Sequence, residues 1–110
     1  MNNTSIYKAS DDGYISVVEG IKRKTLVFGE KTLLTEFRLA AGKKLPLHRH
    51  SHEQTGYLVS GRMIFSIDGV KHTIMPGDSW AILGNVEHSA EIIEDSIAIE
   101  VFSPVREDFL

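Results

Sequence analysis

Turn-forming residues recur about every 8–12 positions through the middle of this chain, and the stretches between them alternate apolar and polar residues with a period of two. Almost no 3.6-residue period is sustained, so helix is the minority state and antiparallel strands are expected, with any helix limited to a turn. Residues 32–39 set Leu33, Thr35, Phe37 and Leu39 on one side against Leu34, Glu36 and Arg38 on the other, and Ala41-Gly42-Lys43-Lys44 ends that strand. Residues 54–60 and 62–67 read as two further strands joined at Ser60-Gly61. The second of them alternates Met63, Phe65 and Ile67 with Arg62, Ile64 and Ser66. Asp68-Gly69 is a hairpin signal, since a type I′ turn needs the positive φ that glycine accepts freely. Residues 70–74 return from it, Met75-Pro76-Gly77-Asp78 turns again, and strands are predicted over 79–83, 87–93 and 97–102. Regular strand spacing of this kind predicts an all-β sandwich or barrel.

With 110 residues there is room for one domain, expected to span 1–110. No apolar run approaches the ~20 residues that cross a bilayer as a helix. The start Met1-Asn2-Asn3-Thr4-Ser5 has no basic stretch leading into an apolar one, so a cytoplasmic protein with no membrane partner is expected. Twelve basic against fifteen acidic side chains give a net charge of −3, which argues against a track for nucleic-acid phosphates. The clusters Lys22-Arg23-Lys24 and Lys43-Lys44 read as solvated turns or strand faces. There is no cysteine, so disulfides and thiolates are excluded, and any metal site must be built from histidine, carboxylate or amide ligands.

Five histidines then become the informative residues. His48 and His50 are two apart in Leu45-Pro46-Leu47-His48-Arg49-His50, so on an extended backbone both rings point to the same face. Gln54 follows four residues later, and His88 lies beyond the turn at Leu83-Gly84-Asn85. Three neutral imidazoles and one amide oxygen from separate elements would suit one divalent transition metal: zinc, nickel, iron, cobalt or copper. Glu53 has the opposite strand parity to His50. His52 shares the parity of His48 and His50, but three alternate positions on one strand would strain a single ion, so it is expected in solvent or behind the ligands. His72, beside a hairpin turn, is expected on an exposed strand.

These residues carry a resemblance. Gly42, His48-x-His50, Gln54 and Gly61 resemble the first cupin motif, with glutamine where glutamate is more common. Pro76-Gly77-Asp78 through Asn85-Val86-Glu87-His88 resembles the second, although Leu83, Asn85 and Ile92 depart from its usual residues. The two motifs span 42–88. The resemblance implies a small antiparallel jelly-roll barrel with His48, His50, Gln54 and His88 around a divalent metal. It also implies a homodimer, because small cupins commonly pair and an open barrel of this size leaves edges that need cover. An all-neutral ligand set leaves the ion's charge uncompensated, which makes it a stronger Lewis acid and favours an anionic substrate.

Near the end of the chain, Ile97-Ala98-Ile99-Glu100-Val101-Phe102 is apolar except for one carboxylate. Glu100 either points out of an edge strand or, with Phe102, lines the interior near the metal, where burial raises a carboxyl pKa and suits it to acid–base work. Arg106 either approaches that carboxylate or a bound anion, or sits on the rim without a partner. The run from Glu100 to Leu110 is similar to the tail of the pectin-degradation, KdgF-type cupins, which open cyclic 4,5-unsaturated uronates into linear keto acids. That resemblance implies an acid–base role for Glu100, where the family usually has aspartate, a pocket role for Phe102 and an anion-holding role for Arg106. It implies a small anionic sugar acid as substrate and no organic cofactor. Two other readings stand beside it: a cupin dioxygenase, and a non-catalytic binding module that would shift its melting temperature with a ligand without consuming it.

Overall fold

The computed structural model describes residues 5–110; the polar residues 1–4, on which the expectation about a leader rests, lie outside the described residues. Eight strands follow one another: β1 (Ile15–Val18), β2 (Ile21–Phe28), β3 (Leu33–Leu39), β4 (Lys44–His48), β5 (Glu53–Ile67), β6 (Val70–Ile74), β7 (Ser79–Ile82) and β8 (His88–Ser103). Every pairing is antiparallel. Among the described residues the helical content is a three-residue 3-10 turn, Glu107–Phe109. The antiparallel all-β fold expected from turn spacing, in the jelly-roll form that the resemblance implies, is therefore the observed fold, and no described helix is long and apolar enough to cross a membrane.

Two long strands organise the rest. The first half of β5 pairs with β7 through Gln54–Ile82 and Gly56–Trp80, and its second half pairs with β6 through Met63–Ile74 and Phe65–His72. Likewise the start of β8 pairs with β4 through Leu45–Ala90 and His48–His88, and its later part pairs with β3 from Ser96 to Phe102. β5 and β8 pair with each other throughout, so they run through both layers of the barrel and bend where they pass between them.

That bend corrects the strand limits expected from sequence. Residues 54–60 and 62–67 form one strand, and so do 87–93 and 97–102, rather than four strands separated by turns. Ser60-Gly61 and Glu94-Asp95 are opposed irregularities in one ladder, with register shifts between Leu58 and Ser60 and between Ser60 and Arg62. A bulge carries the same glycine and polar residues as a turn, which is why the two look alike in sequence. Gly61 has φ of +94°, and a Cβ there would lie 2.4 Å from the Asp95 carbonyl oxygen and 2.1 Å from Ser96 Oγ. Ser96 Oγ in turn accepts the Arg62 N–H at 3.1 Å and locks the bulge.

Period-2 alternation delivers the core. Leu58, Met63 and Phe65 from β5, Ala90, Ile92 and Ala98 from β8, Ile74, Trp80, Ile82, Ile21 and Leu39 pack into one buried cluster. Burying an aliphatic or aromatic side chain of this size stabilises by roughly 1.5–3 kcal/mol. A second cluster of Leu33, Phe102 and Phe109 sits where the 3-10 turn folds over the end of β8.

The basic cluster in β2 is not the solvated face expected from sequence. Lys22 is exposed, but Lys24 is buried under the segment before β1, donating to the Ser10 carbonyl at 3.0 Å and lying over the rings of Tyr7 and Tyr14. Arg23, between them, faces the opposite way, into the cavity described below. Lys43 and Lys44 do behave as expected, making exposed ion pairs with Glu19 and Glu91.

The bulge geometry gives a direct test. Gly61→Ala is expected to cost about 2 kcal/mol or more, combining positive-φ strain with a backbone collision, read as a lower denaturant midpoint. Gly29→Ala, where an added Cβ meets nothing within 4 Å, is the control and should leave stability within about 0.5 kcal/mol.

Candidate functional site

One cavity of about 330 Å³ opens between the two layers, lined by His48, His50, Gln54, His88, Glu100, Phe102 and Arg106 among others. The sequence-derived site residues are thus brought together in one place. His48 and His88 are register partners across β4 and β8, with ring centroids 4.2 Å apart. The His50 ring lies 5.2 Å from that of His88 and 5.9 Å from that of His48. One nitrogen from each of the three rings falls within 4.8 Å of the other two.

The rings are aimed by the backbone. His48 Nδ1 lies 2.8 Å from the Pro46 carbonyl oxygen, His50 Nδ1 2.9 Å from that of His52, and His88 Nδ1 2.8 Å from that of Val86. A carbonyl oxygen only accepts, so each Nδ1 carries the proton and each Nε2 lone pair is left free. The Nε2 atoms of His50 and His88 are buried without a hydrogen-bond partner, and so is Gln54 Oε1. Unpartnered buried acceptors are costly, and two of these belong to rings whose nitrogens gather within 4.8 Å of one another, which fits a cation. Residues present therefore suit a divalent ion held by nitrogen and neutral oxygen, and among the described residues no carboxylate joins the three histidines in that cluster.

Burial also holds two of these rings, His88 and His50, neutral. His88 is pushed down to about 4 by burial, with the nearby His48, His50 and Arg106 acting in the same direction against its bond to Val86. His50 is lowered for the same first reason, with Arg106 next.

Glu100 faces inward, which decides between the two orientations open from sequence. It is 7% exposed, and its carboxylate is met by two donors. Gln54 Nε2 donates to Oε2, and Trp80 Nε1 donates to Oε1 at 3.2 Å. The loss of water outweighs these bonds and the attraction of Arg106, pushing the group up to about 8. Gln54 and Glu100 meet because Gln54 pairs with Phe102 in the β5–β8 ladder, making Glu100 its diagonal neighbour on the same face. Trp80 reaches Glu100 across Gly56, the residue that pairs with both. A Cβ at Gly56 would fall 2.3 Å from the indole nitrogen, so the bond requires glycine there.

Phe102 is buried with its ring 5.7 Å from that of His50, forming one wall. Arg106 has its guanidinium 5.0 Å from the Phe102 centroid and is held by Asp108 through Nε at 3.2 Å and Nη2 at 2.8 Å. It thus lines the cavity without touching Glu100 through a hydrogen bond, and its partner is a carboxylate two residues on. His52 is half-buried behind the cluster and supplies the carbonyl that orients His50, Glu53 is exposed, and His72 is exposed on β6.

The cupin-domain family matches residues 35–103, more than half of the chain. The chain belongs to the cupin family. Pectin degradation protein KdgF of Dickeya dadantii (strain 3937) is 32% identical to this cupin over 94 residues, covering 84% of this chain and 86% of that one. The structure of KdgF from Halomonas sp. superposes with a TM-score of 0.91 at 29% identity, covering 97% of this cupin and 99% of that chain. An RmlC-like cupin from Shewanella frigidimarina NCIMB 400 superposes with a TM-score of 0.89, also at 29% identity, over the whole of both chains. Resemblance to the KdgF-type cupins therefore extends over most of the chain and is not confined to its tail.

Sequence reasoning did not single out Trp80, Gly56, Arg23, Asp108 or Phe109, all of which this cupin places at or beside the cavity. Trp80 had a usable signal: it is the chain's one tryptophan, on a strand where it shares parity with Ile82, and a buried indole N–H needs an acceptor. Nothing in the sequence marks the others, because their roles depend on which strands become neighbours.

The two buried groups set the pH dependence of the metal-free protein. His88 stays neutral in the fold down to about 4, whereas an unfolded histidine takes up a proton near 6.5, so its contribution to stability is lost as pH falls through that window. Glu100 has the opposite sign. It stays protonated in the fold up to about 8 but ionises near 4.5 when unfolded, so its contribution is lost as pH rises between those values. The thermal midpoint of chelator-treated protein is expected to decline between about pH 6.5 and 8, and the decline should flatten in Glu100→Gln. Equal declines in both proteins would show that the fold does not hold Glu100 protonated.

Proposed function

We propose that this cupin opens the ring of 4,5-unsaturated uronates, the acidic sugars released in pectin breakdown, and converts them to linear keto acids. The proposal gives His48, His50, Gln54 and His88 to one divalent metal, Glu100 to proton transfer, Arg106 to the substrate carboxylate and Phe102 to the apolar wall of the pocket. Support comes chiefly from one juxtaposition: a carboxyl kept dry on the cavity wall, hydrogen bonded to Gln54 beside the histidine cluster. Kinship with the KdgF relatives supplies the substrate class.

A bound divalent ion would supply Lewis acidity toward the substrate's oxygens. The protein's own residues account for the proton. Ring opening breaks the bond between the anomeric carbon and the ring oxygen as the anomeric hydroxyl loses its proton and becomes an aldehyde. The ring oxygen keeps the electron pair and becomes the ketone oxygen as the vinylic carbon gains a proton. One proton leaves an oxygen and one arrives at a carbon, so a single carboxyl that gives and recovers a proton suffices, with no redox change. That role for Glu100 is supported by its donors, Gln54 and Trp80, which hold the carboxyl in one orientation. Arg106, clamped by Asp108 against Phe102, presents a fixed guanidinium to a carboxylate. Phe102 keeps water from the reacting carbon.

Turnover is read as loss of the ultraviolet absorbance of the conjugated enol ether. Glu100→Gln keeps the shape but cannot exchange the proton, and should lose ~10²-fold or more in kcat with its metal content unchanged. A Glu100→Gln protein of full activity would remove Glu100 from the chemistry. His88→Ala should lose most of its bound metal in elemental analysis together with activity; full metal content in that variant would overturn the four-ligand set.

A further inference from the structure

β2 presents Ile21, Arg23 and Thr25 to the barrel interior: Ile21 is fully buried, and Thr25 Oγ1 donates to the Phe109 carbonyl at 2.6 Å. An arginine in such a row is unusual, because a guanidinium is seldom turned inward without a partner. Arg23 lines the same cavity as the histidines and Glu100. Its guanidinium carbon lies 3.9 Å from the centroid of the Phe109 ring, and that of Arg106 lies 3.9 Å from the same centroid. The ring is itself fixed, packed edgewise on Phe102 at 5.2 Å and on Phe37 at 6.4 Å.

The charges at this wall do not balance. Asp108 is the carboxylate beside the two arginines, and Arg106 engages both of its oxygens. Arg23 reaches only the Asp108 backbone carbonyl, at a long 3.4 Å. Burial lowers the Arg23 pKa, and the pull of Asp108 is opposed by the repulsion of Arg106. Two guanidiniums on one aromatic plate, with one carboxylate between them, leave a fork of donors with a net positive charge facing the pocket. An oxyanion arriving there would satisfy Arg23 and relieve the repulsion between the arginines.

We propose that Arg23 is a second anion-binding residue of this pocket, acting with Arg106 on the substrate carboxylate and setting the preference for acidic over neutral sugars. The proposal rests on the uronate reading for the class of substrate. Phe109 acts as the plate that holds both guanidiniums at a fixed spacing, so little side-chain freedom is lost when the anion binds.

The test is calorimetric titration of the metal-loaded, full-length protein with D-galacturonate and, in parallel, with neutral D-galactose. The wild type is expected to bind galacturonate more tightly than galactose. Arg23→Gln should weaken galacturonate binding by about 10-fold or more, the size expected for a lost charge-assisted bond, while leaving galactose binding and metal content unchanged. Arg23→Lys, which keeps the charge, should recover part of the loss. With an unsaturated uronate, Arg23→Gln should raise KM more than it lowers kcat. Should Arg23→Gln fail to fold, Arg23→Met, whose stem still covers Phe109, carries the same expectation. Galacturonate affinity equal to wild type in the folded neutral variant would overturn the proposal, and so would a wild type that does not distinguish the acid from the neutral sugar. Wild-type protein that binds galacturonate through Arg23 but leaves unsaturated uronates unconsumed would instead overturn the ring-opening reading while upholding the anion site.

Discussion

A carboxyl group buried in an apolar strand is the constraint from which much of the site's arrangement follows. Glu100 cannot sit buried between β3 and β5 without donors, and the fold supplies them from the next two strands on one side, Gln54 on the adjacent β5 and Trp80 on β7 beyond it. Trp80 can reach only because Gly56 lies between it and Glu100 in the ladder. The amide at position 54 is equally constrained. A glutamate there would set a second carboxyl against Glu100 with no N–H to offer it, whereas glutamine donates through its nitrogen. The substitution that departs from the usual cupin pattern is thus the one that gives a neighbouring buried carboxyl a donor.

Electrostatics and hydrogen bonding agree on the sign of what this cavity prefers. Burial holds His50 and His88 neutral, and all three rings donate Nδ1–H to a backbone carbonyl, which leaves the Nε2 lone pairs toward the cavity. Burial favours the uncharged form of Glu100. The uncompensated charge comes from Arg23 and Arg106, opposed by Asp108 alone at that wall. Neutral ligands on one side and a cationic wall on the other form a cavity whose complementary guest is small and negatively charged.

Fold class and the chemistry-bearing cluster were legible in the sequence because both rest on local regularities. Alternation shows which side of a strand is buried, and His48 and His50 share a face by parity alone. Glu100 stood out as the single charge in an apolar run. What stayed hidden depends on contacts between distant strands. The Ser60-Gly61 bulge has the composition of a turn, and only its partner at Glu94-Asp95, some thirty residues away, distinguishes the two. The run Lys22-Arg23-Lys24 shows three like charges in a row, yet the fold sends each to a different environment: solvent, the cavity and the cover formed by Tyr7 and Tyr14. β1 and β2 escaped the strand assignment altogether: β1 is only four residues long, and β2, rich in lysine and arginine, lacks the polar–apolar contrast that marks the others.

The cavity is assembled from two kinds of material. Its floor, made of the histidines, Gln54, Trp80 and Glu100, belongs to strands or the short link before β5, where any change in backbone is transmitted through the ladder. The wall of Arg106, Asp108 and Phe109 belongs to no strand. It is fastened by the Thr25–Phe109 bond, the Arg23 contact and the packing of Phe109 on Leu33 and Phe102. Residues 104–108 can therefore be exchanged without disturbing the register of any pair of strands. A barrel built this way has a floor locked into the ladder and an interchangeable wall, and a lineage of such proteins could move between substrates by editing one short segment while leaving the chemistry at the bottom of the cavity in place.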